Sequence, residues 1–161
     1  MIISILASTP AGGIGNKGTL PWPKNSEDLK WFRQHTTNNI VVMGRNTWDD
    51  PLMPKPLPNR INCVVSNRII DNINVRRLKG DINQQILELQ KQFPEKDIFI
   101  IGGKTLYEET QNIVECVYLT RIKPNWFADT RINLDTLLMG FRLRTVRPGT
   151  DCTYEIWHKI Q

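Results

Sequence analysis

Two runs without a single polar side chain do most to limit what this chain can become. Ile40-Val41-Val42-Met43 and Ile98-Phe99-Ile100-Ile101 each run straight into glycine, Gly44 in one case and Gly102-Gly103 in the other. A strand that is apolar on both sides is buried on both sides, as central strands of a parallel sheet are when helices cover them. The residues after each glycine suit a helix start, so both runs read as strand–turn–helix units. Strand-like stretches at 2–8, 61–66, 74–78 and 116–122 alternate with helical spacing from Ser26, taken as the cap, to about Asn38. Helices are also expected from about Arg45, over 82–92, and from Lys104 to Gln111. Residues 51–58 hold Pro51, Pro54, Pro56 and Pro58 and are expected to be irregular.

The C-terminal part has a different rhythm. Phe141, Leu143 and Thr145 alternate with Arg142, Arg144 and Val146, and Tyr154, Ile156 and His158 with Glu155 and Trp157. Pro148-Gly149-Thr150-Asp151 turns between them, which predicts an antiparallel hairpin. The expectation is an α/β fold: one domain over 1–161, with a mostly parallel central sheet of about eight strands, helices on both faces and the hairpin at one edge.

Composition narrows the classes further. Forty per cent hydrophobic and 23% charged residues in 161 positions suit an ordinary globular domain. No apolar run of about 18 residues is present to span a membrane, and Met1-Ile2-Ile3-Ser4-Ile5-Leu6 reads as a strand rather than a signal segment. Cys63, Cys116 and Cys152 are too scattered for a zinc site or a disulfide framework, and His35 and His158 have no ligand spacing. No metal is expected, and a reducing cytoplasm is the expected compartment. The net charge of +5 is dispersed along the chain, which suits anionic small ligands.

Gly13-Ile14-Gly15-Asn16-Lys17-Gly18 matches the G-x-G-x-x-G pattern of dinucleotide-binding turns. Thr19-Leu20-Pro21-Trp22-Pro23 follows where that pattern needs a helix, and two prolines forbid one. These glycines are therefore read as flexible residues of a long loop over 9–25, able to act as a lid.

The glycine turns carry more. Gly44-Arg45-Asn46-Thr47 and Gly102-Gly103-Lys104-Thr105-Leu106-Tyr107 each place backbone N–H groups at a helix start, where anions bind. Tight helix–strand packing explains either turn taken alone. Two at the carboxyl ends of strands in one parallel sheet point to a ligand. Ser66-Asn67-Arg68 follows a third strand at the same end and offers a hydroxyl, an amide and a guanidinium to a phosphate.

Asp28 sits in the first turn of its helix, with Trp31 and Phe32 three and four residues on. Helix-dipole stabilisation accounts for an Asp at that position. A carboxylate sharing a face with two aromatic rings is also costly to bury without a partner, and it would accept a flat ligand presenting two adjacent N–H donors.

Gly15 through Trp22, Asp28-Leu29-x-Trp31-Phe32, Met43-Gly44-Arg45-x-Thr47-Trp48, Pro56-Leu57-Pro58-Asn59-Arg60, Ile101-Gly102-Gly103-x-x-Leu106-Tyr107, Tyr118-Leu119-Thr120 and Asp129-Thr130 occur in one order along nearly the whole chain. In that order they resemble the dihydrofolate reductase family. The resemblance implies NADPH-dependent reduction of 7,8-dihydrofolate to tetrahydrofolate, with hydride going to pterin C6 and a water protonating N5. It implies that Asp28 holds the pterin amidine with support from Thr120, that Trp22 holds a water, and that Leu20 is an apolar lid residue. Ile5, Ala7, Leu29, Phe32, Leu57 and Ile101 would line the substrate pocket, and Arg60 would pair with the glutamate α-carboxylate. Ala7 and Ile14 would flank the nicotinamide, and Gly18, Thr19 and Ile101 would also bind the cofactor. Gly44, Arg45, Asn46, Thr47, Ser66, Asn67, Arg68, Lys79 and the turn Gly102, Gly103, Lys104, Thr105, Leu106, Tyr107 would hold the rest of the cofactor.

The resemblance also makes antifolates plausible ligands, and a monomer is the default state because no exposed apolar stripe demands a dimer. Leu20, Asn46 and Lys104 depart from the common family pattern, and the longer segment 49–55 supplies no assigned pocket residue. A related reductase acting on a pyrimidine or flavin precursor would not need Trp22, Asp28 and Arg60 together. A basic RNA-binding module would need exposed aromatics among Arg142, Arg144 and Arg147 on a sheet face; no nucleic-acid partner is expected.

Overall fold

A computed structural model describes all 161 residues. Strands β1 (Ile2–Ser8), β2 (Gly13–Gly15), β3 (Ile40–Gly44), β4 (Ile61–Val65) and β5 (Val75–Leu78) precede β6 (Ile98–Ile100), β7 (Cys116–Ile122), β8 (Thr130–Arg131), β9 (Phe141–Pro148) and β10 (Cys152–Lys159). Eight of them form one sheet in the order β5-β4-β3-β6-β1-β7-β10-β9. The first six are parallel, β10 adds antiparallel to β7, and β9 antiparallel to β10. The expected parallel sheet with a terminal hairpin is therefore the fold. No helix is long and apolar enough to cross a membrane.

The apolar runs occupy the centre because they serve both faces. Ile40, Val42, Ile98 and Ile100 point into one core with Ile86 and Leu89 of helix α3 (Ile82–Gln92) and Leu106 of α4 (Lys104–Glu109). Val41, Met43 and Phe99 point into the other with Trp31 and Phe32 of α1 (Ser26–Thr36) and Trp48 of α2 (Arg45–Trp48). Phe99 is 2% exposed. Phe99→Ala is expected to cost about 3–5 kcal/mol of unfolding free energy, read by denaturant titration, because the central sheet cannot close on the cavity.

Three local expectations are corrected. Asn25, not Ser26, caps α1: its Oδ1 accepts the Asp28 N–H at 3.0 Å, and the helix stops at Thr36. The hairpin does not alternate in a core-like way. β9 is an edge strand with only Phe141 buried, and it carries a bulge at Arg144, opposite Ile156 and Trp157, while β10 keeps an unbroken register with β7. Tyr154 and Glu155, on opposite faces of β10, are nonetheless both buried, Tyr154 in an apolar cluster and Glu155 held by the Arg121 Nε at 2.9 Å. The arginines along β9 guard an edge that would otherwise pair with other strands.

The third correction concerns the glycines of the long loop. Gly13–Gly15 is a strand paired with β8, part of a small second sheet that the sequence did not suggest. A Cβ on Gly12, at φ +83°, would meet the Ile132 carbonyl, and one on Gly13 would sit 2.6 Å from Thr9 Oγ1. These two glycines permit close backbone packing rather than flexibility. Only Gly18, at φ +80° with nothing near it, is an open turn glycine.

Candidate active site

The N-terminal turn of α1 lies against β7. Thr120 donates its hydroxyl to Asp28 Oδ1 at 2.8 Å. None of the protein's ion pairs includes Asp28, so the carboxylate has no cation to neutralise it. Burial, opposed by the Thr120 hydroxyl and reinforced by the neighbouring Glu27 charge, raises its pKa above the ordinary aspartate value. Trp22 is buried close by in a small cluster with Ile122, Cys152 and Tyr154, against which Ala7 and Trp31 pack. Trp31 stacks on Tyr154 with ring centroids 4.5 Å apart, and its indole N–H is buried without a partner. Leu20 and Leu29 are exposed, at 46% and 45%.

Phe32 follows one turn further along the same helix. The Arg60 guanidinium lies over its ring, 5.9 Å from the centroid, and is held by Nε donating to Pro58 O at 2.9 Å and Nη1 donating to Thr36 Oγ1 at 3.0 Å. Leu57, also buried, belongs to the same core cluster as Phe32, Ile5 and Ile101. Asp28, Phe32, Leu57 and Arg60 thus run along one side of the sheet, on the α1 face.

The two glycine turns meet across β3 and β6. Gly44 donates its N–H to Gly102 O at 2.7 Å, and a Cβ on Gly102 would sit 3.4 Å from Thr47 Oγ1. Gly102 has φ +118° and the Gly102–Gly103 peptide is cis. Arg45 Nη1 reaches Ser66 Oγ at 3.3 Å, and the same Ser66 oxygen accepts the Arg68 N–H at 3.1 Å. Asn46, Lys104 and Thr105 are exposed on these turns. Leu106 and Tyr107 are buried beneath theirs, with the Tyr107 hydroxyl donating to Ile5 O at 2.7 Å. Asn67 and Lys79 are exposed beyond β4 and β5. Ile14 lies in β2, and Asn16 and Thr19 pair around Gly18.

One open trough of about 420 Å³, floored by Trp22 and Ile122, contains none of Asp28, Phe32, Arg60 or the glycine turns. Those residues lie outside it, along α1 and at the carboxyl ends of β3 and β6, where open parallel sheets hold their ligands.

Residues 1–138 match the family profile described as dihydrofolate reductase. The chain belongs to the dihydrofolate reductase family. It is 34% identical over 163 residues to the type 9 dihydrofolate reductase of Escherichia coli, covering 95% of this chain and 90% of that protein. It is 37% identical over 123 residues to the dihydrofolate reductase of Buchnera aphidicola subsp. Acyrthosiphon pisum, covering 76% and 73%. The solved dihydrofolate reductase from Enterococcus faecalis, complexed with NADP(H) and RAB-propyl, matches it with a TM-score of 0.85 at 26% identity, covering 100% of this chain and 97% of that one.

Three residues of this dihydrofolate reductase fold escaped the sequence reading. Asn62 is 1% exposed. Its Oδ1 accepts the Leu57 N–H at 3.0 Å, and its Nδ2 donates to Leu57 O and Arg60 O at 2.9 and 3.0 Å, which fixes the segment carrying both residues. A lone amide in the run Ile61-Asn62-Cys63-Val64-Val65 was the available signal, since a buried polar group needs partners. Asp49 accepts from Arg45 Nε at 3.1 Å and lies 3.9 Å from Arg68, holding both arginines beside Ser66. The four-residue spacing from Arg45 was its signal. Glu27, next to Asp28, reaches the far hairpin, and nothing local in the sequence reveals that contact.

Proposed function

We propose that this protein reduces 7,8-dihydrofolate to 5,6,7,8-tetrahydrofolate using NADPH. The observation that carries the reading is Asp28: a largely buried carboxylate, bonded to one hydroxyl and to no cation, facing an aromatic-lined face. Such a group asks for a ligand with paired N–H donors, and a pterin amidine has them. Family membership supplies the reaction, and the arginine beyond Phe32 suits the carboxylate of the substrate's glutamate.

The residues at the glycine turns fit a phosphorylated dinucleotide. Gly44, Gly102 and Gly103 let a ligand approach the backbone, while Arg45, Thr47, Ser66 and Arg68 offer charge and hydroxyls. When bound, NADPH supplies the hydride that pterin C6 receives. The chain's own residues do the rest. Asp28 binds and polarises the pterin ring, and Thr120 orients that carboxylate. Trp22 walls the site and, in this reading, keeps a water near Asp28 from which N5 gains its proton. Phe32, Leu57, Ile5, Ala7 and Ile101 hold the ring flat and exclude other water. Leu20, Gly18 and Thr19 belong to the segment that covers the site, and Ile14, Asn67, Lys79 and Lys104 to the cofactor's surroundings.

We also read the protein as a cytoplasmic monomer. Its three free, buried cysteines support the reducing compartment, with burial pushing the Cys63 thiol up to about 12. Antifolates with adjacent N–H donors are ligands for the same carboxylate.

The test is loss of reduced-nicotinamide absorbance on mixing protein, NADPH and dihydrofolate. Oxidation that needs both protein and dihydrofolate supports the reading. NADPH binding without turnover would assign a different heterocycle. A companion variant isolates the cofactor turn: Arg45→Ala is expected to weaken NADPH binding about tenfold, one charge-assisted bond's worth. The loss should shrink as salt screens the pair, and titrating the protein's tryptophan fluorescence with NADPH at two ionic strengths measures it.

A further inference from the structure

Glu27 is an exposed side chain with an unusual set of partners. Its Oε1 accepts the Tyr154 hydroxyl at 3.0 Å and the Thr150 N–H at 3.2 Å, and the Cys152 thiol lies 3.7 Å away. All three belong to the far hairpin, more than 120 residues along the chain. The tip of that hairpin is shaped around the carboxylate: a Cβ on Gly149 would lie 2.3 Å from Glu27 Oε1, 2.7 Å from the Tyr154 ring and 2.8 Å from Cys152 Sγ. The Gly149 N–H in turn donates to Cys152 O at 2.9 Å, which closes the turn. Tyr154 carries the contact inward, being 1% exposed and stacked on Trp31 of α1.

We infer that Glu27 is a positioning residue: by locking onto the tip of the C-terminal hairpin it fixes the first turn of α1, and with it the Asp28 carboxylate against Thr120. This rests on the proposed role of Asp28. The logic is geometric. Asp28 is the next residue in the chain, and the Asn25 cap secures only the start of that turn. A helix end held at one point can still rotate about it; the hairpin supplies a second point. Glu27 also brings a fixed like charge beside Asp28. The other titratable groups that feel Asp28 are Tyr107 on α4 and Cys152 and Tyr154 on β10, all neutral at physiological pH, so Glu27 is the one charge among them.

Four variants test the inference: Glu27→Ala, Glu27→Gln, Gly149→Ala and, as reference, Asp28→Asn. Misplacing a reacting group by an ångström costs as much as a hundredfold, so freeing the turn is expected to lower kcat/KM for dihydrofolate roughly tenfold in Glu27→Ala. NADPH affinity should not change. Gly149→Ala, which crowds the same pocket from the other side, should reproduce that loss. Glu27→Gln keeps the accepting oxygen and should retain most of the activity. By removing a like charge, it should also move the titration of Asp28, followed by carboxyl carbon resonance, downward.

Wild-type kcat/KM in Glu27→Ala would overturn the inference, as would equal losses in the Ala and Gln variants or a parallel loss of NADPH affinity. If Asp28→Asn abolishes turnover while Glu27→Ala does not, the inference fails alone. If Asp28→Asn leaves turnover intact, the reading of Asp28 fails and takes the inference with it.

Discussion

Asp28→Asn is expected to lower dihydrofolate turnover at neutral pH by roughly a hundredfold or more, the scale on which removal of one preorganised charge-stabilising group is felt. The same variant is expected to melt at a higher temperature. Both follow from one fact: the carboxylate is buried beside a hydroxyl and another carboxylate, with no cation. Asparagine keeps the shape and can still accept from Thr120, but it carries no charge with which to polarise a ring. The stability effect has a definite sign. Because the folded protein binds the Asp28 proton more tightly than the unfolded chain does, folding takes up protons between the ordinary aspartate value and the raised native one. Stability therefore falls as pH rises through that window, and at neutral pH the full cost of the buried charge is present. Asparagine removes that cost. The gain in melting temperature should be largest at neutral pH and shrink toward the ordinary carboxylate range. Melts of both proteins across that range measure it; a variant less stable than the parent at neutral pH would contradict the burial argument.

Arg60→Leu is expected to raise KM for dihydrofolate by about 10- to 100-fold with little change in kcat, as a lost charge-assisted pair should. The guanidinium is pre-positioned by Pro58 O, Thr36 Oγ1 and the Phe32 ring, so little ordering remains to be done when a carboxylate arrives. Burial and the nearby Arg33 lower its pKa without threatening its charge, since an arginine starts so high. The loss should be absent for a reduced pterin that lacks the glutamate tail. Equal losses on both substrates would mean that Arg60 supports the fold of 57–62 rather than the tail.

The fold was legible where side-chain pattern decides structure. The all-apolar runs at Ile40 and Ile98 became the central parallel strands because nothing polar in them could face solvent. The return of the chain at Gly149 was legible from its turn residues. The pattern failed where backbone geometry decides. Gly13 and Gly15 looked like loop residues, yet they form a strand, and Thr9 and Ala128 leave no room for a side chain at Gly13. Glu155 alternates as a solvent-facing residue would, yet it is buried on the opposite face of β10 from Tyr154 because Arg121 pairs with it, a partner that alternation cannot foresee. Asp28 was legible from Trp31 and Phe32, three and four residues on along its helix, whereas Arg60 was legible only through the family resemblance. Asn62 bonds only to nearby backbone, at Leu57 and Arg60, whereas Glu27 acts through partners more than 120 residues along the chain that are fixed only once the sheet is assembled.

A single-turnover reaction with NADPH deuterated at the transferable position tests the central claim most directly. The account predicts that the protein places the deuterium on C6 of the tetrahydrofolate formed, seen by mass and by loss of the C6 proton resonance, and that Asp28→Asn slows this transfer. Tetrahydrofolate without the label, or label lodged at another carbon, would contradict it.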